Sequence, residues 1–270
     1  MQNSSKGAEP ADEQVLAREG AEMKDFILES CVDCVESALA AAEGGATRLE
    51  LCSNLVIGGT TPSRWLYEEI RKASDIRIHA LIRPRFGDFC YTDYEFHIIR
   101  NEVRMFRELG AEGVVIGILR PDGTLNMDQM GILMEEAGPM SVTLHRAFDV
   151  CVDPYEAFDQ AKKLGINTIL TSGQQDNCMA GKELLRELVE KEDGKITVQV
   201  GGGVNADVIR ELAPYTKAHA FHMSGKMVLD SPMVYRKEGV NMGLPALSEF
   251  EIFRTDPKKI REARTVLERA

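Results

Sequence analysis

Short runs of apolar and β-branched residues recur along the chain from Phe26 onward, and each run is followed by a loop and an amphipathic helical pattern. Continuous apolar runs of this length are typical of parallel strands whose two faces are both buried. Successive runs begin far enough apart to hold one strand and one crossover helix. The pattern predicts eight strands, with cores at Phe26–Val32, Arg48–Cys52, Ile76–Ile82, Gly113–Ile118, Val142–His145, Thr168–Thr171, Ile196–Val200 and His219–His222.

Capping residues mark the starts of several of the intervening helices. Asp33 and Glu36 have the spacing of a capping box. Thr61-Pro62 resembles an N-cap followed by proline at the first helical position. The helix that begins at Asn205 is expected to end before Pro214. Further helix starts are predicted at Asp93, Asp153 and Asp256.

An alternation of eight strands and helices can form either an open sheet or a closed barrel. Eight units within about 245 residues favour a single-domain (β/α)8 barrel, the TIM-barrel fold of the α/β class. We assign the barrel domain to residues 25–270 and predict that the polar, acidic residues 1–24 form a flexible N-terminal tail. The segment from Ser224 to Thr255 is too long for a plain connection, and it is expected to cover part of the barrel or an interface.

The formal net charge of the chain is −11, and no apolar run approaches the ~20 residues that span a bilayer. Because nucleic acids and anionic membranes are polyanions, this charge opposes binding to either. Any anionic ligand therefore needs a local group of basic side chains. Residues 1–24 lack the apolar core of a signal peptide, and six cysteines are too few for a secreted disulfide scaffold. These features predict a cytoplasmic protein.

The functional face of a (β/α)8 barrel lies at the carboxyl ends of its strands. In this chain those positions hold a concentration of ionisable side chains, which are costly to bury unless they are paired. The concentration indicates a site. His222, at the end of the eighth predicted strand, is one group that can titrate near neutral pH. The candidates for proton transfer are Glu29, Glu50, His145 and Asp149.

Two thiols form the first candidate site. Cys31 and Cys52 end two strands that are expected to be neighbours about 4.8 Å apart. Thiolates at that separation can share one soft metal ion, and two ligands suit Cu(I) better than tetrahedral zinc. The alternative is that both are small buried hydrophobic residues, a common use of free cysteine. Cys34 forms a CxxC sequence with Cys31, but no second pair accompanies it, so a structural zinc site is not expected.

Basic residues and glycines form the second candidate site. Arginines follow the third and fifth predicted strands, and arginine binds carboxylate or phosphate in bidentate geometry. The glycines after the seventh strand open a helix, where free N–H groups favour an anion. The alternatives are that the arginines pair with acidic residues of the mouth and that the glycines form a plain turn. The anion-binding candidates are Arg83, Arg85, Arg146, Gly202, Gly203 and Ser224.

A set of short motifs occurs in order along the chain. They are Glu29-x-Cys31-Val32-Asp33, Arg48-Leu49-Glu50-Leu51-Cys52, Gly58-Gly59-Thr60-Thr61-Pro62-Ser63, Arg83-Pro84-Arg85-x-Gly87-Asp88-Phe89, His145-Arg146-Ala147-Phe148-Asp149, Leu170-Thr171-Ser172-Gly173, Gly201-Gly202-Gly203 and His222-x-Ser224. Together they resemble the copper homeostasis protein CutC family, and the resemblance covers about residues 26–250.

The resemblance implies a (β/α)8 barrel, a cytoplasmic homo-oligomer (a dimer or a tetramer) and a role in copper homeostasis. In eukaryotic members it implies one Cu(I) per subunit, with Cys31 and Cys52 as the ligands. The chain departs from the family at Cys34, where serine is usual, so a Cys31–Cys34 pair could compete for the metal. It also departs at Met223, where some members have cysteine and where a thioether is a weaker soft donor.

Two functional hypotheses follow. The first is a homeostasis protein whose partner is a copper ion, bound as Cu(I) by thiolates at the barrel mouth. The second is an enzyme acting on a small phosphorylated or carboxylated metabolite, with an anion site in the loops after strands seven and eight. The arginines and glycines distinguish the two, because an anionic substrate needs them and copper does not.

Overall fold

The computed structural model describes residues 26–244 and 247–270, and the predicted N-terminal tail, residues 1–24, lies outside them. Eight parallel strands close into a barrel in chain order, and the eighth strand pairs with the first. This confirms the predicted (β/α)8 barrel. The barrel strands are β1 (Ile27–Val32), β2 (Arg48–Leu51), β3 (Arg77–Leu81), β4 (Gly113–Ile116), β5 (Ser141–Leu144), β6 (Thr168–Thr171), β7 (Thr197–Val200) and β8 (Ala220–Met223).

Helices alternate with these strands and surround the barrel. The last helix packs between the first and the seventh, which completes the outer ring. Short 3₁₀ helices follow β2 (Leu55–Ile57) and β5 (Arg146–Val150). None of the helices in the described residues is long and apolar enough to cross a bilayer. The α-helices are α1 (Val35–Gly44), α2 (Arg64–Ala73), α3 (Asp93–Glu108), α4 (Met127–Ala137), α5 (Pro154–Leu164), α6 (Lys182–Glu190), α7 (Ala206–Thr216) and α8 (Pro257–Leu267).

The two faces of the barrel strands bury different kinds of side chain. On the outer face, residues such as Leu28 and Leu49 pack with fully buried helical side chains such as Phe106. Full burial of one such side chain contributes about 1.5–3 kcal/mol. The inner face instead carries buried polar groups, among them Glu29 and Gln199. Because successive side chains alternate between faces, an apolar outer face is compatible with this polar interior.

Three of the predicted helix starts are confirmed. The side chains of Asp153, Asn205 and Asp256 each accept a backbone N–H from the first turn of their helix. The predicted end of the helix after Asn205 was wrong, because α7 continues past Pro214 to Thr216. Proline removes one backbone hydrogen bond, and this close to the end of a helix that loss leaves most of the helix intact.

The other predicted starts were wrong by one or two residues. Cys34, not Asp33, caps α1, since its Sγ accepts the Ser37 N–H at 3.4 Å. Ser63, not Thr61, caps α2. Thr61 is held elsewhere, because its N–H donates to the carbonyl of Arg83 at the end of β3. The third helix is capped by Thr92, which forms a complete capping box with Glu95, rather than by Asp93.

The segment between β8 and α8 contains an antiparallel hairpin, β9 (Lys226–Asp230) and β10 (Glu251–Thr255). The hairpin lies against the barrel beside α1, where the Thr255 N–H donates to the Ser37 hydroxyl at 3.1 Å. Apolar side chains near its tip are exposed, including Val234 at 98%. The hairpin covers one flank of the barrel, as the length of the segment predicted.

Candidate functional site

The strand register brings ionisable side chains of three strands to one part of the barrel interior. Cys31 of β1 lies opposite Glu50 of β2, and Glu29 lies between Arg48 of β2 and His222 of β8. These positions alternate with outward-facing residues on the same strands, which are apolar except for Ser30 of β1. The closure of the barrel between β8 and β1 therefore places residues from the two ends of the domain together.

A buried hydrogen-bonded network lies beneath the mouth of the barrel. Glu29 is fully buried and forms an ion pair with Arg48. Gln199 bridges the pair, since it donates to Glu29 at 2.9 Å and accepts from Arg48 at 2.9 Å. Nδ1 of His222 lies 2.8 Å from the same carboxylate. Burying these charges is tolerable because each has a partner.

Above this network, three side chains form what we call the thiol cluster: Cys31, Glu50 and His222. One possible ligand atom of each lies within 4.8 Å of the others. The Cys52 thiol donates to Glu50 Oε2 at 3.4 Å. It packs with Leu81 in a small buried group that Cys31 also contacts. Cys31 thus packs against the group that contains Cys52, and its sulfur lies beside the Glu50 carboxyl and the His222 imidazole. Cys52 is not one of the three side chains whose ligand atoms cluster.

Burial and neighbouring charges shift the pKa values of these groups in different directions. Burial alone would raise the pKa of Glu29, but the Arg48 guanidinium and the His222 hydrogen bond outweigh it and lower the pKa. Burial raises the pKa of Glu50, and His222 offsets this only partly. Burial and the Glu50 carboxyl raise the pKa of the Cys52 thiol well above its usual value. Although burial opposes a charged His222, the Cys31 sulfur and Glu29 raise its pKa well above 6.5.

A cavity of about 300 Å³, which we call the mouth cavity, opens at the carboxyl ends of the strands. Glu29, Cys52, Arg85 and Asp149 do not line it. A larger cavity of about 800 Å³ lies between α7 and α8 and contains none of the predicted site residues. The predicted residues that line the mouth cavity are Cys31, Glu50, Arg83, His145, Arg146, Gly202, Gly203, His222 and Ser224.

The two arginines after β3 have different surroundings. Arg83 is buried, and its Nη atoms donate to backbone carbonyls, of which Gly59 (3.1 Å) and Gly87 (2.8 Å) are the nearest. It forms no ion pair with any described carboxylate. Arg85 instead pairs with Glu95 and Asp88 outside the cavity. The carboxylates of the mouth therefore do not hold either of these arginines. The pairing considered from the sequence is found only for Arg146, which pairs with Asp149.

His145 is a buried, neutral imidazole on the wall of the mouth cavity. Burial and the Arg83 charge lower its pKa to about 3. Its Nδ1 accepts the Ala147 N–H at 3.1 Å, so His145 caps the short 3₁₀ helix after β5. The Phe89 ring lies 4.7 Å from the imidazole, centroid to centroid, and also beneath the Arg83 guanidinium. Gly117 allows this position, because a Cβ there would lie 2.5 Å from the imidazole.

Asp149 forms its hydrogen bonds within the loops around the cavity and does not line the cavity. Its carboxylate pairs with Arg146 at 2.6 Å and accepts hydrogen bonds from Thr171 and from the Ser172 and Gln174 N–H groups. With its oxygens engaged in this way, it is poorly placed for proton transfer to a ligand. Of the four proton-transfer candidates, only Glu50 and His145 line the cavity.

The loops after β7 and β8 form the remaining wall. Gly202 and Gly203 have φ values of 88° and 83°, which favour glycine. Ser224 is exposed, and its hydroxyl accepts the Lys226 N–H at 3.3 Å. At the start of α7 the Asn205 side chain already accepts two backbone N–H groups. Part of the donor capacity predicted for this helix start is therefore used within the protein.

Comparison with known proteins agrees with the motifs. The model of the CutC family matches residues 26–227. The chain belongs to the CutC family. A CutC family protein of Bacteroides fragilis is 44% identical over 245 residues, which cover 89% of this chain and 96% of the relative. The copper homeostasis protein cutC homolog of Homo sapiens is 38% identical over 237 residues, which cover 87% of each chain.

The fold of the CutC family is also found in a solved structure. The copper homeostasis protein CutC of Streptococcus agalactiae superposes with a TM-score of 0.70 at 28% identity, covering 74% of this chain and 99% of that chain. The resemblance inferred from the motifs is thereby confirmed, and with it the assignment to a copper homeostasis family.

Sequence reasoning missed several residues of this CutC site. Arg48 and Gln199 complete the buried network, and Phe89 and Leu170 line the cavity. A signal for Arg48 was present, since it lies two residues before Glu50 and so faces the same side of β2. Gln199, a polar residue inside an apolar strand, carried a similar signal.

Proposed function

We propose that this CutC family protein binds copper as Cu(I) at the barrel mouth, with Cys31 and Cys52 as thiolate ligands. The observation that supports the proposal is the packing of Cys31 against the small buried group that contains Cys52, with a His222 ring nitrogen within 4.8 Å of the Cys31 sulfur. Thiolate and imidazole are donors that Cu(I) prefers, whereas the Glu50 carboxylate is a hard donor. The donor set therefore fits copper in its reduced state.

Protonation of the ligands sets the expected pH dependence. The pKa values of Cys52 and His222 are raised, so both groups hold protons that a metal must displace. We expect Cu(I) affinity to increase as pH rises. Burial of the Cys52 thiol away from water also favours Cu(I), because it slows oxidation of that thiol.

Competition with a Cu(I) chelator under reducing conditions tests the assignment. The wild type should bind one Cu(I) per chain, and Cys31→Ser and Cys52→Ser should each weaken binding strongly. Cys90→Ser is the matched control, since Cys90 lies in a loop outside the mouth cavity. Unchanged stoichiometry and affinity in Cys52→Ser would refute the two-thiol assignment. Cys34→Ser should change binding little.

A second candidate function is an enzyme acting on a small phosphorylated or carboxylated metabolite. The observation that favours it is the basic wall of the mouth cavity, where Arg83 and Arg146 lie together with Gly202 and Gly203. Copper has no need of these groups, whereas an anionic substrate has. Glu50 and His145, which line the same cavity, would carry out proton transfer.

Thermal stability measured in phosphate and in chloride at matched ionic strength tests the second function. One small anion makes few contacts, so we expect millimolar affinity at best, about −4 kcal/mol. Phosphate should raise the melting temperature more than chloride does. If the melting temperature responds equally to both salts, and if Gly203→Pro does not alter that response, the loop after β7 is only a turn and does not bind an anion.

We further propose that the protein acts in the cytoplasm as a homo-oligomer. All six cysteines are free thiols, which fits a reducing compartment. The exposed apolar side chains at the β9–β10 hairpin suit contact with a second copy of the chain.

A further inference from the structure

Two buried N–H groups beside the mouth cavity have no hydrogen-bond acceptor among the residues that the structure describes. One is Nε–H of Arg83 and the other belongs to Nε2 of His145. Both residues line the cavity. Native proteins leave few buried donors without an acceptor, and such exceptions need an explanation. Here two of them occur on one wall of one cavity.

The proton position on His145 follows from its other nitrogen. Because Nδ1 accepts the Ala147 N–H, a neutral ring must carry its proton on Nε2. The pKa of about 3 keeps the ring neutral at physiological pH. His145 therefore presents a hydrogen-bond donor that is not a charge, and Arg83 beside it presents a donor that is charged.

The charge of this wall favours an acceptor that is itself anionic. Arg83 forms no ion pair with a described carboxylate, and its Nη atoms are held by neutral carbonyls. Arg146, the other arginine of the cavity, is neutralised by Asp149. The chain has a net charge of −11, which repels anions in general. A guanidinium without an ion-pair partner in a partly enclosed cavity attracts an anion locally.

The loops after β7 and β8 are less suited to anchor that anion. Two backbone N–H groups at the start of α7 are already accepted by Asn205. Ser224 accepts a hydrogen bond from Lys226 and is exposed. The cavity volume of about 300 Å³ lies at the lower end of the range for small-molecule sites, so the ligand has to be small.

We propose that the mouth cavity binds a small oxyanion-bearing molecule, a carboxylate or a phosphate, through an oxygen that accepts hydrogen bonds from Arg83 Nε–H and His145 Nε2–H. This inference rests on the second candidate function and names the two groups that anchor its ligand. The Phe89 ring lies 4.7 Å from the His145 ring, centroid to centroid, and 5.0 Å from the Arg83 guanidinium, so the two side chains lie beside the same ring. Of the proposed Cu(I) donors, Cys31 and His222 line a different part of the cavity wall, on β1 and β8, and Cys52 does not line the cavity.

Calorimetric titration of the full chain with malonate and with inorganic phosphate, at matched ionic strength, tests the proposal. Two variants of His145 form a matched pair. His145→Asn keeps an acceptor for the Ala147 N–H but has no donor near Nε2, and His145→Gln places an amide N–H near that point. We expect millimolar binding of at least one probe, weakened about tenfold or more in His145→Asn and restored in His145→Gln. The probe that binds more tightly identifies carboxylate or phosphate as the preferred group.

Further variants separate this inference from the functions on which it depends. Cys31→Ser should lose Cu(I) binding and keep the anion response. Ser224→Ala should also keep it. If binding is lost in Ser224→Ala and unchanged in His145→Asn, the second function stands and the present assignment is overturned. If neither probe binds below ~50 mM, both the assignment and the second function fail. The ring ¹⁵N spectrum of His145 gives an independent readout, since the Nε2 signal should shift with the bound probe.

Discussion

At the scale of single residues, Glu29 and Arg48 show how a charged pair is maintained inside the barrel. Both are buried, and Gln199 and His222 use the remaining hydrogen-bonding capacity of the Glu29 carboxylate. A buried pair of this kind is weak evidence of net stabilisation, but removing one member leaves the other charge uncompensated. The pair therefore constrains the surroundings of His222, which lines the mouth cavity.

We predict that Arg48→Met destabilises the protein by about 3–5 kcal/mol, because Glu29 then remains buried without its cation. The double variant Arg48→Met/Glu29→Gln should recover much of that loss, since no charge is left unpaired. Urea unfolding of the three proteins measures the effect. Equal stability of the single and double variants would show that lost packing, not the unpaired charge, is responsible.

His145 predicts an acid-sensitive stability. Its pKa is about 3 in the folded protein and ordinarily 6.5, so between these values the unfolded chain binds a proton that the folded chain does not. Folding stability must then fall as pH decreases from 6.5 toward 3, by up to about 1.4 kcal/mol per pH unit for this group. Above pH 6.5 its contribution is complete. His145→Asn should flatten this slope.

Unfolding free energies measured across that pH range check the prediction. His97→Asn supplies the control, because His97 is exposed on α3. A second buried histidine, His79, also has a pKa lowered to about 3, mainly by burial, so part of the slope should remain in His145→Asn. An identical slope in wild type and His145→Asn would contradict the neutral state assigned to His145.

At the scale of elements, α1 begins with an uncommon capping residue. Cys34 is extended, with φ −156°, and its sulfur accepts the Ser37 N–H and contacts the Ser37 hydroxyl at 3.1 Å. Sulfur is a weaker acceptor than oxygen. Serine is among the preferred N-cap residues, and cysteine is not. The start of α1 also holds the hairpin in place, since Ser37 accepts the Thr255 N–H.

We predict that Cys34→Ser stabilises the protein slightly, because an oxygen then accepts the same N–H. Cys34→Ala should instead destabilise it by about 0.5–2 kcal/mol, as is usual on loss of a cap. Thermal unfolding tests both: the melting temperature should rise in Cys34→Ser and fall in Cys34→Ala. If serine and alanine have the same effect, the Cys34 sulfur is not a functioning cap.

At the scale of the whole molecule, the β9–β10 hairpin is the surface that suits self-association. Val234, Tyr235 and Met242 are 98%, 72% and 81% exposed. Exposed apolar side chains gathered in one place mark interaction sites more often than isolated ones do. Because they stand outside the barrel core, replacing them should leave the fold intact.

We predict that Val234→Asp/Tyr235→Asp dissociates the proposed homo-oligomer, since the charges would have to be buried at the proposed contact. Light scattering after size-exclusion chromatography gives the mass directly. Tyr94→Asp is the control, because Tyr94 is 84% exposed on α3, away from the hairpin. A wild-type protein that is monomeric at micromolar concentration, or a double variant that keeps its oligomeric mass, would contradict the prediction.

The sequence alone determined the order of strands and helices and which strand residues share a face. Glu29 with Cys31, and Glu50 with Cys52, were placed on common faces of β1 and β2, because alternation along a strand is a local property. Cap assignments were right at Asp153, where an N-cap and a proline agree, and wrong at Thr61. Long-range hydrogen bonds to the end of β3 decided the latter, and no local pattern encodes them.

Only the tertiary structure decided which partner each charged group has. Arg83 and Arg85 look equivalent in the sequence. Arg83 lines the cavity and donates to backbone carbonyls, whereas Arg85 pairs with Glu95 outside the cavity. His222 contacts Glu29 only because the barrel closes between β8 and β1. Such contacts join residues distant in the chain, so their geometry depends on strand register and closure rather than on local sequence.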